Sequence, residues 1–147
     1  MKIKFVLNGQ TITINKNPSE KLSVFLREKK LAGYKEGCLN HSCTACTVLL
    51  DDVPVQSCLT SLAQCDNCKI TTLDEFKKTE EFADIKKGFE QAKVRMCGFC
   101  NAGKVFIANE IIMYRTKAFS IYLSTPFILL WQMGNPRSAK AKVHLSM

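Results

Sequence analysis

A chain of 147 residues is long enough for one domain or two small ones, and at 46% apolar residues it can bury a core. Its eight cysteines exceed ordinary usage without reaching the density of a disulfide-framework toxin, and the even count leaves a secreted disulfide protein to be weighed. The net charge of +8 is uneven, with 16 basic and 13 acidic side chains in residues 1–114 and 5 and none in 115–147. No basic stripe interleaved with aromatics results, and a nucleic-acid partner is disfavoured.

The N-terminal "MKIKFVLNGQ" has only a short apolar run before Asn8-Gly9, not the apolar stretch and small-residue cleavage site of an export signal. The expected compartment is therefore the cytoplasm, where thiols stay reduced and clustered thiols favour metal binding. Lys2–Asn8 alternates with Ile3, Phe5 and Leu7 on one face, which predicts a half-buried strand. Asn8-Gly9 is a hairpin turn signal, because both residues tolerate positive φ, and Thr11–Asn15 is the returning strand. Ser19 is expected to cap a helix carrying Leu22, Phe25 and Leu26, with Gly33 as its stop.

A cysteine-rich loop follows. "TVLLDDVPVQSC" then predicts a strand pair around Asp51-Asp52, and "KITTLDEF" a last short strand with Ile70 and Leu73 facing inward. Two strands, a helix, a loop and further strands by about residue 75 describe a β-grasp domain, expected over residues 1–77. After a linker near "KKTEE", Phe82, Ile85, Phe89 and Ala92 fall at amphipathic helical spacing. "MCGFC" interrupts that pattern. Asn101 is then expected to cap a second helix, with Val105, Ile107, Ala108, Ile111 and Ile112 at helical spacing, ending near Arg115. The fold class is accordingly α+β: a β-grasp domain followed by an all-α region over 78–115, with a tail over 116–147.

Cys38, Cys43 and Cys46 give C-x4-C-x2-C, and Cys58 follows after eleven intervening residues. This is the plant-type [2Fe–2S] spacing. Two irons bridged by two sulfides need four more sulfurs, and four thiolates supply them. A short loop that delivers three of these ligands also points its N–H groups at sulfur, which offsets the negative charge of the cluster. A zinc site is the alternative for the same residues. Cys65 and Cys68 form a further C-x2-C, read as two solvent-near thiols in a connection, with a zinc pair or transient disulfide as the other readings. His41 is expected to be an exposed loop residue rather than an iron ligand.

The residues Leu26-Arg27-Glu28, Lys35-Glu36-Gly37-Cys38, Ala45-Cys46-Thr47-Val48-Leu49-Leu50, Ser57-Cys58-Leu59-Thr60 and Cys97-Gly98-Phe99-Cys100 carry a resemblance. Over roughly Lys2 to Met113 the chain resembles the small iron–sulfur subunit of the xanthine dehydrogenase family of molybdenum hydroxylases. The resemblance implies that Cys38, Cys43, Cys46 and Cys58 bind one [2Fe–2S] cluster. It also implies that Cys97 and Cys100 supply half of a second, in a four-helix domain that is incomplete here. Molybdopterin and FAD would sit only on partner subunits, a molybdopterin-binding large subunit and an FAD-binding subunit. This chain would relay electrons between them and carry no catalytic residue of its own. A free-standing ferredoxin-like carrier and a zinc-stabilised binding module are the alternatives.

Three departures from the family pattern bear on that implication. The loop between the cysteines has Leu39, Asn40, His41, Ser42 and Thr44 where the family is glycine-rich, and Asn40 is the expected substitute for a left-handed glycine. Met96 precedes the C-G-x-C pair where the family commonly has Gln, and it reads as a core residue. No cysteine follows Cys100 in these 147 residues, so the family's later C-x-C pair has no counterpart and a second cluster is doubtful. Cys65 and Cys68 are a remote alternative for completing it. Ala118–Met133 is apolar but is broken by Pro126 and too short to span a membrane. The tail reads either as the product of a frameshift near residue 115 or as a genuine partner-facing extension.

Overall fold

The computed structural model describes residues 1–38 and 40–123, with side chains through residue 116. Most of the reading of the tail, 116–147, therefore lies outside the described residues. Met1–Ile111 forms one compact unit, and residues from Ile112 belong to a second.

Within the first unit five strands form one mixed sheet in the order β2-β1-β5-β3-β4. β1 (Lys2–Leu7) and β2 (Gln10–Asn15) make a hairpin in which Leu7 faces Gln10. Asn8 and Gly9 form its turn at φ 50° and 81°. The alternation in β1 has its expected result, with Ile3, Phe5 and Leu7 buried. β3 (Thr47–Leu50) and β4 (Val53–Gln56) pair antiparallel around Asp51 and Asp52, both left-handed at φ 48° and 65°. β5 (Lys69–Thr71) lies between the hairpins, parallel to β1 and antiparallel to β3. The Asn8 side chain ties these strands, accepting from the Thr72 N–H at 2.9 Å and donating to the Thr72 hydroxyl at 2.9 Å.

Both faces of the sheet are covered. On one, helix α1 (Leu22–Glu28) packs Leu22, Phe25 and Leu26 against Ile3, Phe5, Val48 and Ile70. The Phe5 and Phe25 rings meet edge to face at 5.4 Å. The period of two in β3 sends Leu49 to the other face. There it joins Leu73 and Phe76 of the one-turn helix α2 (Leu73–Phe76), Ile85 of α3 (Glu80–Gln91), and Ala102, Val105 and Phe106 of α4 (Asn101–Leu123). Met96 is half-buried against this second cluster, as a core methionine should be.

Four local expectations are corrected. Ser19 does not cap α1, which starts after Lys21, because the chain at that point is taken up by a neighbour: Lys21 bridges Ser61, and the Leu22 N–H donates to the Thr60 carbonyl at 2.9 Å. Gly33 does not stop α1; the helix ends at Glu28, with Lys29 as its C-cap and Lys30 left-handed at φ 52°. Gly33 instead donates its N–H to the Asp74 carboxylate at 2.8 Å. Leu73 faces inward from a helical turn rather than from a strand. α4 continues beyond Arg115, and its buried line in the first unit is Ala102, Val105 and Phe106, with Ile107 and Ile111 exposed. The cap of α3 is Thr79, whose hydroxyl accepts from the Phe82 N–H at 3.3 Å.

Candidate metal centre

Cys38, Cys43 and Cys46 lie on the irregular loop between α1 and β3, and Cys58 lies just beyond β4. The β3–β4 pairing sets Thr47 opposite Gln56, so Cys46 and Cys58, one and two residues outside that rung, are brought together. Their sulfurs are 3.4 Å apart. At the other end of the loop the Ser42 and Cys43 N–H groups donate to the Cys38 sulfur at 3.3 and 3.4 Å, and the Ala45 N–H donates to the Cys43 sulfur at 3.4 Å. The donors therefore come as two pairs, Cys38 with Cys43 and Cys46 with Cys58. Among the described residues no three Cys, His, Asp or Glu side chains converge on a single ion position. Two sulfur pairs framed by N–H donors fit a two-iron, two-sulfide group.

The thiols are unlike in acidity. The Cys43 N–H, followed by the Cys43 thiol, draws the Cys38 pKa down to about 7. Burial, followed by the Cys46 thiol, pushes Cys58 up to about 11. N–H groups aimed at Cys38 favour its thiolate, whereas Cys58 keeps its proton until something displaces it.

Between Cys38 and Cys46 the loop turns without glycine. His41 and Thr44 take the left-handed conformation at φ 62° and 56°. The Asn40 side chain accepts from the Ser42 hydroxyl at 2.8 Å, in a local turn. A β-branched residue at positive φ is strained by about 1–2 kcal/mol, and Thr44 is held there from outside. Its carbonyl accepts from both the N–H and the hydroxyl of Thr47, at 3.2 and 2.6 Å, and Gly103 of α4 packs directly on it. His41 is exposed.

Tyr34 and Ser57 brace the site, a role sequence reasoning missed. The fully buried Ser57 hydroxyl donates to the Cys46 carbonyl at 2.9 Å and leaves the Tyr34 hydroxyl to donate to it, also at 2.9 Å. Burial raises the Tyr34 pKa, so this donor keeps its proton throughout the ordinary pH range. Ser57 lies next to Cys58 in sequence, and that adjacency was the only sequence signal. Nothing local pointed to Tyr34.

The remaining cysteines separate into two environments. Cys65 is no solvent-near thiol: it ends the 3-10 turn Leu62–Cys65 with no exposed surface, inside the core against α1 and β1, and burial pushes its pKa to about 11. Cys68 is half-buried with its thiol directed at the Gln64 and Asp66 carbonyls. Both sulfurs are turned to backbone oxygen. Cys97 is exposed and Cys100 half-buried, at the turn before α4. The Phe99 N–H, ahead of the cations Lys104 and Arg95, lowers the Cys97 pKa. All eight cysteines are unpaired thiols.

No family model matches the sequence. Individual proteins do. Over 113 residues the chain is 34% identical to the nicotine 6-hydroxylase small subunit of Paenarthrobacter nicotinovorans, covering 76% of this chain and 68% of that one. It is 30% identical to the xanthine dehydrogenase iron-sulfur-binding subunit of Escherichia coli O157:H7, covering 75% and 69%. Among solved structures, quinoline 2-oxidoreductase from Pseudomonas putida 86 superposes with a TM-score of 0.63 at 34% identity, over 76% of this chain and 69% of the matched one. With about two-thirds of the length of such relatives matched at 30% identity or more, the chain belongs to the small iron–sulfur subunits of the xanthine dehydrogenase family of molybdenum hydroxylases and is an electron-transfer subunit of an oxidoreductase.

Proposed function

We propose that Cys38, Cys43, Cys46 and Cys58 hold one [2Fe–2S] cluster and that the chain relays single electrons from a molybdopterin-binding large subunit toward an FAD-binding subunit. The observation that carries this reading is the two-pair arrangement of sulfurs, with the Cys46 and Cys58 sulfurs 3.4 Å apart and three loop N–H groups turned toward the other pair. A cluster held there supplies a one-electron couple. The residues around it do the rest. The N–H groups of Ser42, Cys43 and Ala45 neutralise part of the charge on sulfur, and Ser57 and Tyr34 keep Cys46 and Cys58 in register.

We read residues 1–77 as a β-grasp, ferredoxin-like domain and 78–115 as a partial helical domain. Cys97 and Cys100 are two of the four thiolates that a second cluster needs, and no cysteine later in these 147 residues supplies the rest. The cytoplasm is the compartment that suits eight unpaired thiols. Among the described residues no helix is long and apolar enough to cross a membrane. The test is anaerobic purification followed by iron, acid-labile sulfide and dithionite-reduced EPR measurements. A red-brown chain with equal iron and sulfide and a reduced-state signal that Cys58→Ser abolishes supports the reading. A colourless chain with zinc overturns it.

A further inference from the structure

The segment Gly98–Gly103 touches the metal loop on both sides of Cys43. A β-carbon placed on Gly37 would fall 2.6 Å from Cε1 and 2.9 Å from Cζ of Phe99, and 3.1 Å from the Cys43 sulfur. The edge of the Phe99 ring and the Cys43 sulfur thus border the same small space, which glycine at position 37 leaves open. On the other side of Cys43, a β-carbon on Gly103 would fall 2.8 Å from the Thr44 carbonyl oxygen. The turn that aims Phe99 is itself built: Gly98 is left-handed at φ 95°, and its N–H donates to Asn101 Oδ1 at 3.2 Å, fixing the start of α4. Phe99 has 52% of its surface exposed. A large apolar ring left half in water, with its inner edge against a ligand loop, is placed for what that edge covers.

We propose that Phe99 is a positioning residue for the front metal centre, screening the Cys43 side of that centre from water and so holding its potential low. This rests on the reading that the four front cysteines hold a [2Fe–2S] cluster. Reduction adds negative charge at the sulfurs, and water reaching them stabilises the reduced form, so an apolar cover disfavours reduction. The C-G-F-C turn thereby has work at the first site whatever becomes of Cys97 and Cys100.

Redox titration of the anaerobically purified chain, followed by EPR, tests this in Phe99→Ala, Phe99→Leu and Phe99→Gln beside Ile107→Ala, which removes an exposed apolar side chain elsewhere on α4. Phe99→Ala should titrate at a higher potential and lose iron to a chelator several-fold faster, whereas Phe99→Leu and Ile107→Ala stay with the parent chain. If the alanine variant does not retain iron, the two variants that keep bulk decide the matter: Gln moves the potential up and Leu does not. Equal potentials for Leu and Gln, or for Ala and the Ile107 control, overturn the proposal. A parent chain without cluster iron or a reduced-state signal fails at the earlier step and overturns the cluster reading itself.

Discussion

Cys38 and Cys58 enter the metal site from opposite starting points. Only a thiolate is alkylated or ligates metal. In the metal-free chain Cys38, drawn down to about 7 by the Cys43 N–H, is largely ionised at pH 7.5, and Cys58, pushed up to about 11 by burial, is not. Iodoacetamide at pH 7.5 should therefore label Cys38 well before Cys58, with Cys58 labelling rising only in alkali. Peptide mapping by mass spectrometry reads this directly, and equal rates at pH 7.5 would refute the asymmetry. Because iron must displace the Cys58 proton, loading should also speed up with rising pH. The bracing pair makes a second prediction at this scale. Ser57→Ala deletes the donor to the Cys46 carbonyl and strands the half-buried Tyr34 hydroxyl, which should cost about 1–2 kcal/mol in chemical denaturation. Tyr34→Phe removes only the outer bond and should cost less, so the reverse order would break the relay as drawn.

At the scale of elements, the contact between α4 and the loop sets two effects against each other. Replacing a helical glycine by alanine ordinarily stabilises by about 1 kcal/mol. At Gly103 the new carbon would lie 2.7 Å from the Thr44 β-carbon and 2.8 Å from its carbonyl oxygen, and that backbone is already tied to Thr47. Overpacking of this kind costs about 1–3 kcal/mol. Gly103→Ala should thus destabilise the chain and quicken iron loss; a stabilised variant would mean that α4 does not bear on the loop. The same contact marks the limit of what the sequence discloses. The hairpins at Asn8-Gly9 and Asp51-Asp52 were legible because turn chemistry and period-two alternation are local, and the ligand spacing was legible because one loop carries three of the four cysteines. Contacts across long separations left no such trace. The Lys21–Ser61 bridge displaced the expected cap at Ser19, Thr60 took the Leu22 N–H, and Gly37 and Gly103 gave no sign of Phe99 and Thr44. Phe106 was passed over because the exposed Ile107, Ile111 and Ile112 keep an equally good helical rhythm.

For the whole molecule the deciding quantity is how many clusters one chain supports. A [2Fe–2S] group takes about four protein thiolates; in the proposed reading Cys38, Cys43, Cys46 and Cys58 are that set, while Cys65 and Cys68 are turned to backbone carbonyls. The burial of Cys65 in the core against α1 and β1 removes it as a donor to any second site, since reaching outward would open the cavity it fills. That closes the one rescue that the sequence had left open among the other cysteines, and Cys97 with Cys100 stays two ligands short within these 147 residues. The stoichiometry should accordingly be about two iron and two sulfide per chain. Replacing Cys97 by Ser should leave that figure alone, whereas replacing Cys46 by Ser should take it toward zero. If instead the count doubles when the chain is purified with its large subunit, and Cys97→Ser halves it again, then ligands from outside these residues complete the second site, and the chain is a two-cluster relay after all.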